Sequence, residues 1–147
     1  MFTEGIYFED IDWTPRVLLK AGNVASTPTV VYNYLFRIGS ITRTPDYEKQ
    51  KKKMRDRLSL IDSLHALSAQ TDNPVWFKGM VSQIAISILG DAGLDFYRER
   101  RQIIRTLRRK GVFPLSPFHA TPGAARKMRI ANLSPALLCH LIHLKEH

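Results

Sequence analysis

Between Asn73 and Gly90 the chain is mostly apolar. Val75, Trp76, Met80, Ile84 and Ile88 follow a helical period, and further apolar residues fill the positions between them. A helix that is apolar on nearly every side must be covered by the rest of the chain. Residues 74–89 therefore predict a buried central helix. Its start is marked twice, because Asn73 suits a helix cap and Pro74 suits the first helical position, where the missing N–H costs nothing.

Other helices follow from similar signals. From Asp46 onward, Met54, Leu58, Ile61, Leu64 or His65, and Leu67 or Ser68 obey the i, i+3, i+4 rule, which predicts a long helix ending before Asn73. Gly90 and Gly93 are expected to separate the central helix from a basic helix around 94–110, which Gly111 closes. Pro114, Pro117 and Pro122 mark a loop. Two short helices are expected near 122–131 and 135–145, the second announced by Ser134-Pro135. Toward the N-terminus, Ile11, Trp13, Val17, Leu18 and Ala21 outline a helix over 10–21 with Asp10 or Asp12 as cap and Gly22 as stop. Residues 24–26 suggest a short strand, and the β-branched and aromatic run 29–37 suggests a second. Two strands make no independent stable sheet, so they are expected to pair with strands supplied from elsewhere.

One domain with a real core fits 147 residues, and an apolar fraction of 44% excludes wholesale disorder. No apolar run reaches the length of a membrane span, and the N-terminus does not read as a secretory signal. The single Cys139 allows no internal disulfide and no cysteine metal site, which suits a reducing, cytoplasmic setting. The net charge of +9 is local. Residues 43–57 and 98–110 hold most of it, the second stretch with Arg98, Arg100, Arg101, Arg105, Arg108, Arg109 and Lys110 against Glu99 alone. Such clusters attract phospholipid headgroups, nucleic acid or diphosphate-linked substrates.

Two blocks carry a more specific signal. Glu4-Gly5-Ile6-Tyr7-Phe8-Glu9-Asp10-Ile11-Asp12-Trp13 brings two adjacent carboxylates to a helix start. Tyr32-Asn33-Tyr34-Leu35-Phe36-Arg37-Ile38-Gly39-Ser40-Ile41-Thr42 follows about twenty residues later. In this order the blocks resemble the acceptor-side half of a family 2 glycosyltransferase, the inverting, GT-A-type enzymes that build bacterial surface polysaccharides. The resemblance covers residues 1–43; residues 44–147 resemble only loosely the variable helical tail of such enzymes. It implies an α+β, mainly α chain, with a short helix-plus-strand piece of a GT-A-type domain over 1–43 and a helical region over 44–147. It also implies that the nucleotide-binding half belongs to a part of the enzyme that precedes this sequence.

By that resemblance, Asp10 is the general base that takes the acceptor hydroxyl's proton as the nucleoside diphosphate leaves from the opposite face of the sugar. Glu9 orients the acceptor or the local loop. Trp13 stacks on a sugar, or else packs in a core. Arg37 offers a planar donor fork to the diphosphate and Ser40 a hydroxyl, the plainer reading of both being a strand end with a polar turn. The plainer reading of Glu9 and Asp10 is helix capping, helped by the dipole. Asp10-Ile11-Asp12 also matches a metal-binding Asp-x-Asp string, but neighbouring side chains at a helix start diverge, and no strand-helix-strand region precedes it. No cofactor is assigned to these residues, and Mg or Mn is expected only for the full-length enzyme. The partners implied are a nucleotide sugar and a glycan or lipid-linked acceptor, at the inner face of the cell membrane.

The alternative is a non-catalytic basic helical module that binds an anionic membrane or nucleic acid. Nucleic acid is the weaker of these partners, since no zinc-finger, RNA-recognition or helix-turn-helix signature is present. His140 and His143 are three apart on the last helix, but no third ligand accompanies them. Nucleophilic catalysis and a Gly-rich phosphate loop have no motif here.

Overall fold

The computed structural model describes residues 4–30, 32 and 46–146. Among these residues the chain forms α1 (Glu9–Lys20), α2 (Tyr47–Ser68), α3 (Pro74–Gly93), α4 (Arg100–Arg109), α5 (Pro122–Leu133) and α6 (Pro135–Glu146). No strand occurs among them, so the α+β expectation is corrected to an all-helical architecture. Residues 24–26 are irregular and exposed, with Val24 left 70% accessible. Of the expected strand over 29–37, Thr29, Val30 and Tyr32 are also irregular and exposed, and the remaining positions lie outside the described residues. β-Branched composition favours a strand only where a neighbouring ladder and a packed face exist, and none is present beside these residues among those described.

The chain divides into two compact units, Met1–Asp56 and Arg57–His147, and the boundary falls within α2. In the first unit, α1 starts one residue earlier than its sequence predicts. Its N-cap position is Phe8, in the left-handed region at φ 65°, and no side chain caps the helix. Pro15 therefore falls in the helix interior and removes the bond to Ile11. Asp46 begins α2 well: its carboxylate accepts from Glu48 and Lys49 backbone N–H groups at 2.9 and 3.2 Å. Tyr7 ties the two helices. Its backbone N–H donates to Asp56 at 2.9 Å, and Lys52 donates to both Asp56 and the Gly5 carbonyl. The Lys52 and Lys53 ammonium groups sit 4.8 and 5.6 Å from the Tyr7 ring centre.

In the second unit, α3 is the buried centre that its composition demands, and it packs against α4, α5 and α6. Phe77, Val81, Ile84, Ala85, Ile88, Leu89 and Ala92 are buried on it. Gly90 does not interrupt α3, which runs on to Gly93. The burial of Ile88, Leu89 and Ala92 outweighs the roughly 1 kcal/mol that a helical glycine costs. Gly93 is needed at its place, because a Cβ there would stand 2.8 Å from Ile142 Cβ and 2.9 Å from the Cys139 carbonyl on α6. The loop before α5 is held by two polar side chains, Ser82 buried and Asn132 exposed. Ser82 accepts from Ser116 N–H at 2.8 Å and donates to the Lys78 carbonyl. Asn132 accepts from Leu115 N–H and donates to its carbonyl. Ser134 caps α6 by accepting from Leu137 N–H, and Thr121 caps α5 by accepting from Ala124 N–H.

Candidate functional site

Two features gather chemistry, one in each unit. In the first, Glu9 and Asp10 open α1 and are both exposed. Neither forms an ion pair among the described residues. Asp12 differs completely. Its carboxylate is buried and takes a two-point grip from Arg16, Nε at 3.2 Å and Nη2 at 2.9 Å. The grip spans one helical turn, the i, i+4 spacing at which such pairs meet. A carboxylate held by a guanidinium does not share a cation with Asp10. No three His, Cys, Asp or Glu side chains converge among the described residues.

The Phe8 backbone sets this end of the helix. A bulky residue at φ 65° costs on the order of 1–3 kcal/mol, and such strain is concentrated at functional turns. It places Glu9 and Asp10 at the start of the first turn. Trp13 is 36% exposed, between core and surface. Arg37 and Ser40 lie outside the described residues, so no placement beside Asp10 is assigned to them.

The second feature is α4. Ile103, Ile104 and Leu107 are buried, which turns Arg101, Arg105, Arg108 and Arg109 outward. The last three, with Gln102, line a shallow depression of about 520 Å³. None of the four forms an ion pair among the described residues. Two neighbours in the same sequence cluster are engaged elsewhere. Arg100 lies over the Tyr97 ring at 3.9 Å and donates to the Tyr97 carbonyl at 2.6 Å. Lys110 is paired with Asp62 on α2. In the other sequence cluster, 43–57, Lys49, Lys51 and Arg55 are exposed, and three further cations are engaged by the fold. Lys52 is bonded as described, Lys53 is buried, and Arg57 is buried with bonds to Ser87 and Asp91 on α3.

Sequence reasoning missed a third group. The Tyr97 ring stacks on His143 with centres 3.7 Å apart and planes at 7°, and its hydroxyl meets His140 Nδ1 at 2.8 Å. The two histidines thus share a tyrosine. Only their i, i+3 spacing was visible; Tyr97 is more than forty residues away in the chain.

Buried among α3 and α6, the Cys139 thiol touches the Leu89 carbonyl at 3.5 Å, and burial pushes its pKa up to about 11. Burial and a raised pKa disfavour the thiolate that a nucleophile needs. No helix of the described residues is long and apolar enough to cross a membrane. No family model, no curated protein and no solved structure matches the chain.

Proposed function

We propose that the α1 segment is the acceptor-side carboxylate segment of an inverting glycosyltransferase. That enzyme moves a sugar from a nucleotide-sugar donor to a glycan or lipid-linked acceptor. The observation that carries the reading is the contrast between Asp10 and Asp12. The carboxylate to which the resemblance gives the base's role is open and unpaired among the described residues, at a strained helix start. The carboxylate two residues on is buried and tied to Arg16. In this reading Asp10 accepts the proton of the acceptor hydroxyl while that oxygen bonds to the anomeric carbon. The bond to the nucleoside diphosphate breaks on the opposite face. Glu9 orients the acceptor and Trp13 supplies a half-exposed ring for a sugar face. Arg37 and Ser40 keep the donor-side roles that the resemblance gives them. The test is Asp10→Asn in the enzyme that carries this segment. Transfer is expected to vanish with donor binding retained, and near-normal turnover sinks the assignment.

A second reading is favoured by the outward arginines of α4. We propose that they bind a polyanion, with or without catalysis elsewhere. Residues 57–147 carry 13 Lys and Arg against 6 Asp and Glu, so most of the net charge lies in this unit. Arg105→Gln with Arg108→Gln should shorten retention on immobilised heparin, and retention unchanged in that variant removes the reading.

A further inference from the structure

Only half of the apolar surface of α6 is used by the core. Pro135, Leu138 and Cys139 are buried, and Ile142 packs at Gly93. On the other side Leu137, Leu141 and Leu144 fall at i, i+4 and i+7 and remain 47, 45 and 61% exposed. Leu133, at the end of α5 and separated from α6 only by Ser134, is 87% exposed. An apolar stripe that a helix leaves outside its core finds its cover in a partner or in lipid. Cations accompany the leucines. Arg126 and Arg129 precede Leu133 by seven and four residues, which puts them on its side of α5, and both are exposed. Neither forms an ion pair among the described residues.

We propose that the leucine stripe of α5 and α6 is the face by which this chain lies on an anionic lipid bilayer. Leu133, Leu137, Leu141 and Leu144 enter the boundary between headgroups and acyl chains, and arginines of α4 and α5 meet the lipid phosphates. The inference rests on the polyanion reading of α4 and names its partner. Charge selects this occupant. A second copy would bring two surfaces of the same positive sign together, whereas an anionic bilayer complements the excess of 13 basic over 6 acidic residues in this unit.

The test uses the full chain with vesicles of phosphatidylcholine alone or doped with phosphatidylglycerol, and reads co-sedimentation. The chain should bind the doped vesicles and leave the neutral ones. Leu141→Gln with Leu144→Gln should weaken that binding at least about tenfold. The most exposed single variant, Leu133→Gln, should weaken it less, with circular dichroism unchanged in both. Retention on heparin should stay at the wild-type value in the leucine variants and fall in the α4 arginine variants. A leucine variant that binds doped vesicles like the wild type overturns the lipid face while leaving the α4 reading intact. Heparin retention indifferent to the arginines overturns the α4 reading itself. A concentration-dependent dimer that the leucine substitutions disperse assigns the stripe to a second copy and overturns the proposal.

Discussion

Two glycines three residues apart on α3 should respond oppositely to the same substitution. At Gly90 a Cβ meets nothing within 4 Å, so Gly90→Ala exchanges a flexible helix interior for a stiffer one and should stabilise by about 0.5–1 kcal/mol. At Gly93 the same methyl lands 2.8 Å from Ile142 Cβ and 2.9 Å from the Cys139 carbonyl. The second contact is backbone, so relief requires α6 to move as a body, and overpacking of this kind costs about 1–3 kcal/mol. Both variants share a similar gain in helix propensity, so the difference between them isolates the collision. Urea unfolding followed by Trp76 fluorescence reads it within the second unit. Gly90→Ala should shift the midpoint up and Gly93→Ala down, with unchanged slopes. A Gly93→Ala protein as stable as Gly90→Ala would refute the close seat of α3 on α6. It would remove with it the orientation that turns the leucine stripe outward.

Other consequences can be checked in the same preparations. The Cys139 thiol should resist alkylation in the native protein near neutral pH and react quickly after unfolding. Its pKa is raised from 9.0 to about 11, so between those values only the unfolded chain ionises; stability should therefore fall as pH rises through that window, and Cys139→Ala should remove that component. Asp91→Ala strips a buried guanidinium of its carboxylate and should cost about 1–3 kcal/mol in urea unfolding, since Asp91 itself is partly exposed. Asp12→Ala should destabilise by about 1–2 kcal/mol through the lost Arg16 bonds, whereas Asp10→Asn should leave stability within about 0.5 kcal/mol, and the reverse order would count against the contrast between the two carboxylates.

Local signals were legible and distant ones were not. Pro74 at the first position of α3, Ser134-Pro135 and the carboxylate of Asp46 act within one turn of the helix starts they mark, so these helices could be read from neighbouring residues, although the Asn73 side chain makes no cap bond. Gly90 was read as a breaker because the packing that carries the helix through it comes from other elements. The strand expected over 24–26 failed for a related reason: Val24 has the right shape for a strand but no ladder to join among the described residues. The basic stretch 43–57 looked solvated in sequence, yet Lys53 and Arg57 are buried by partners that only folding supplies. Tyr97 against His143 is likewise a long-range meeting. At the candidate site, the sequence singled out Glu9 and Asp10. It did not show that Asp12 would be withdrawn by Arg16, nor that Arg100 and Lys110 would leave the outward arginine face to Arg101, Arg105, Arg108 and Arg109.

The most direct measurement is sugar transfer by the glycosyltransferase proposed to carry this segment, comparing wild type with Asp10→Asn while donor binding is followed separately. Product formation lost with donor binding preserved is the predicted result. Transfer at near the wild-type rate would contradict Asp10 as the base and the reading of α1 built on it.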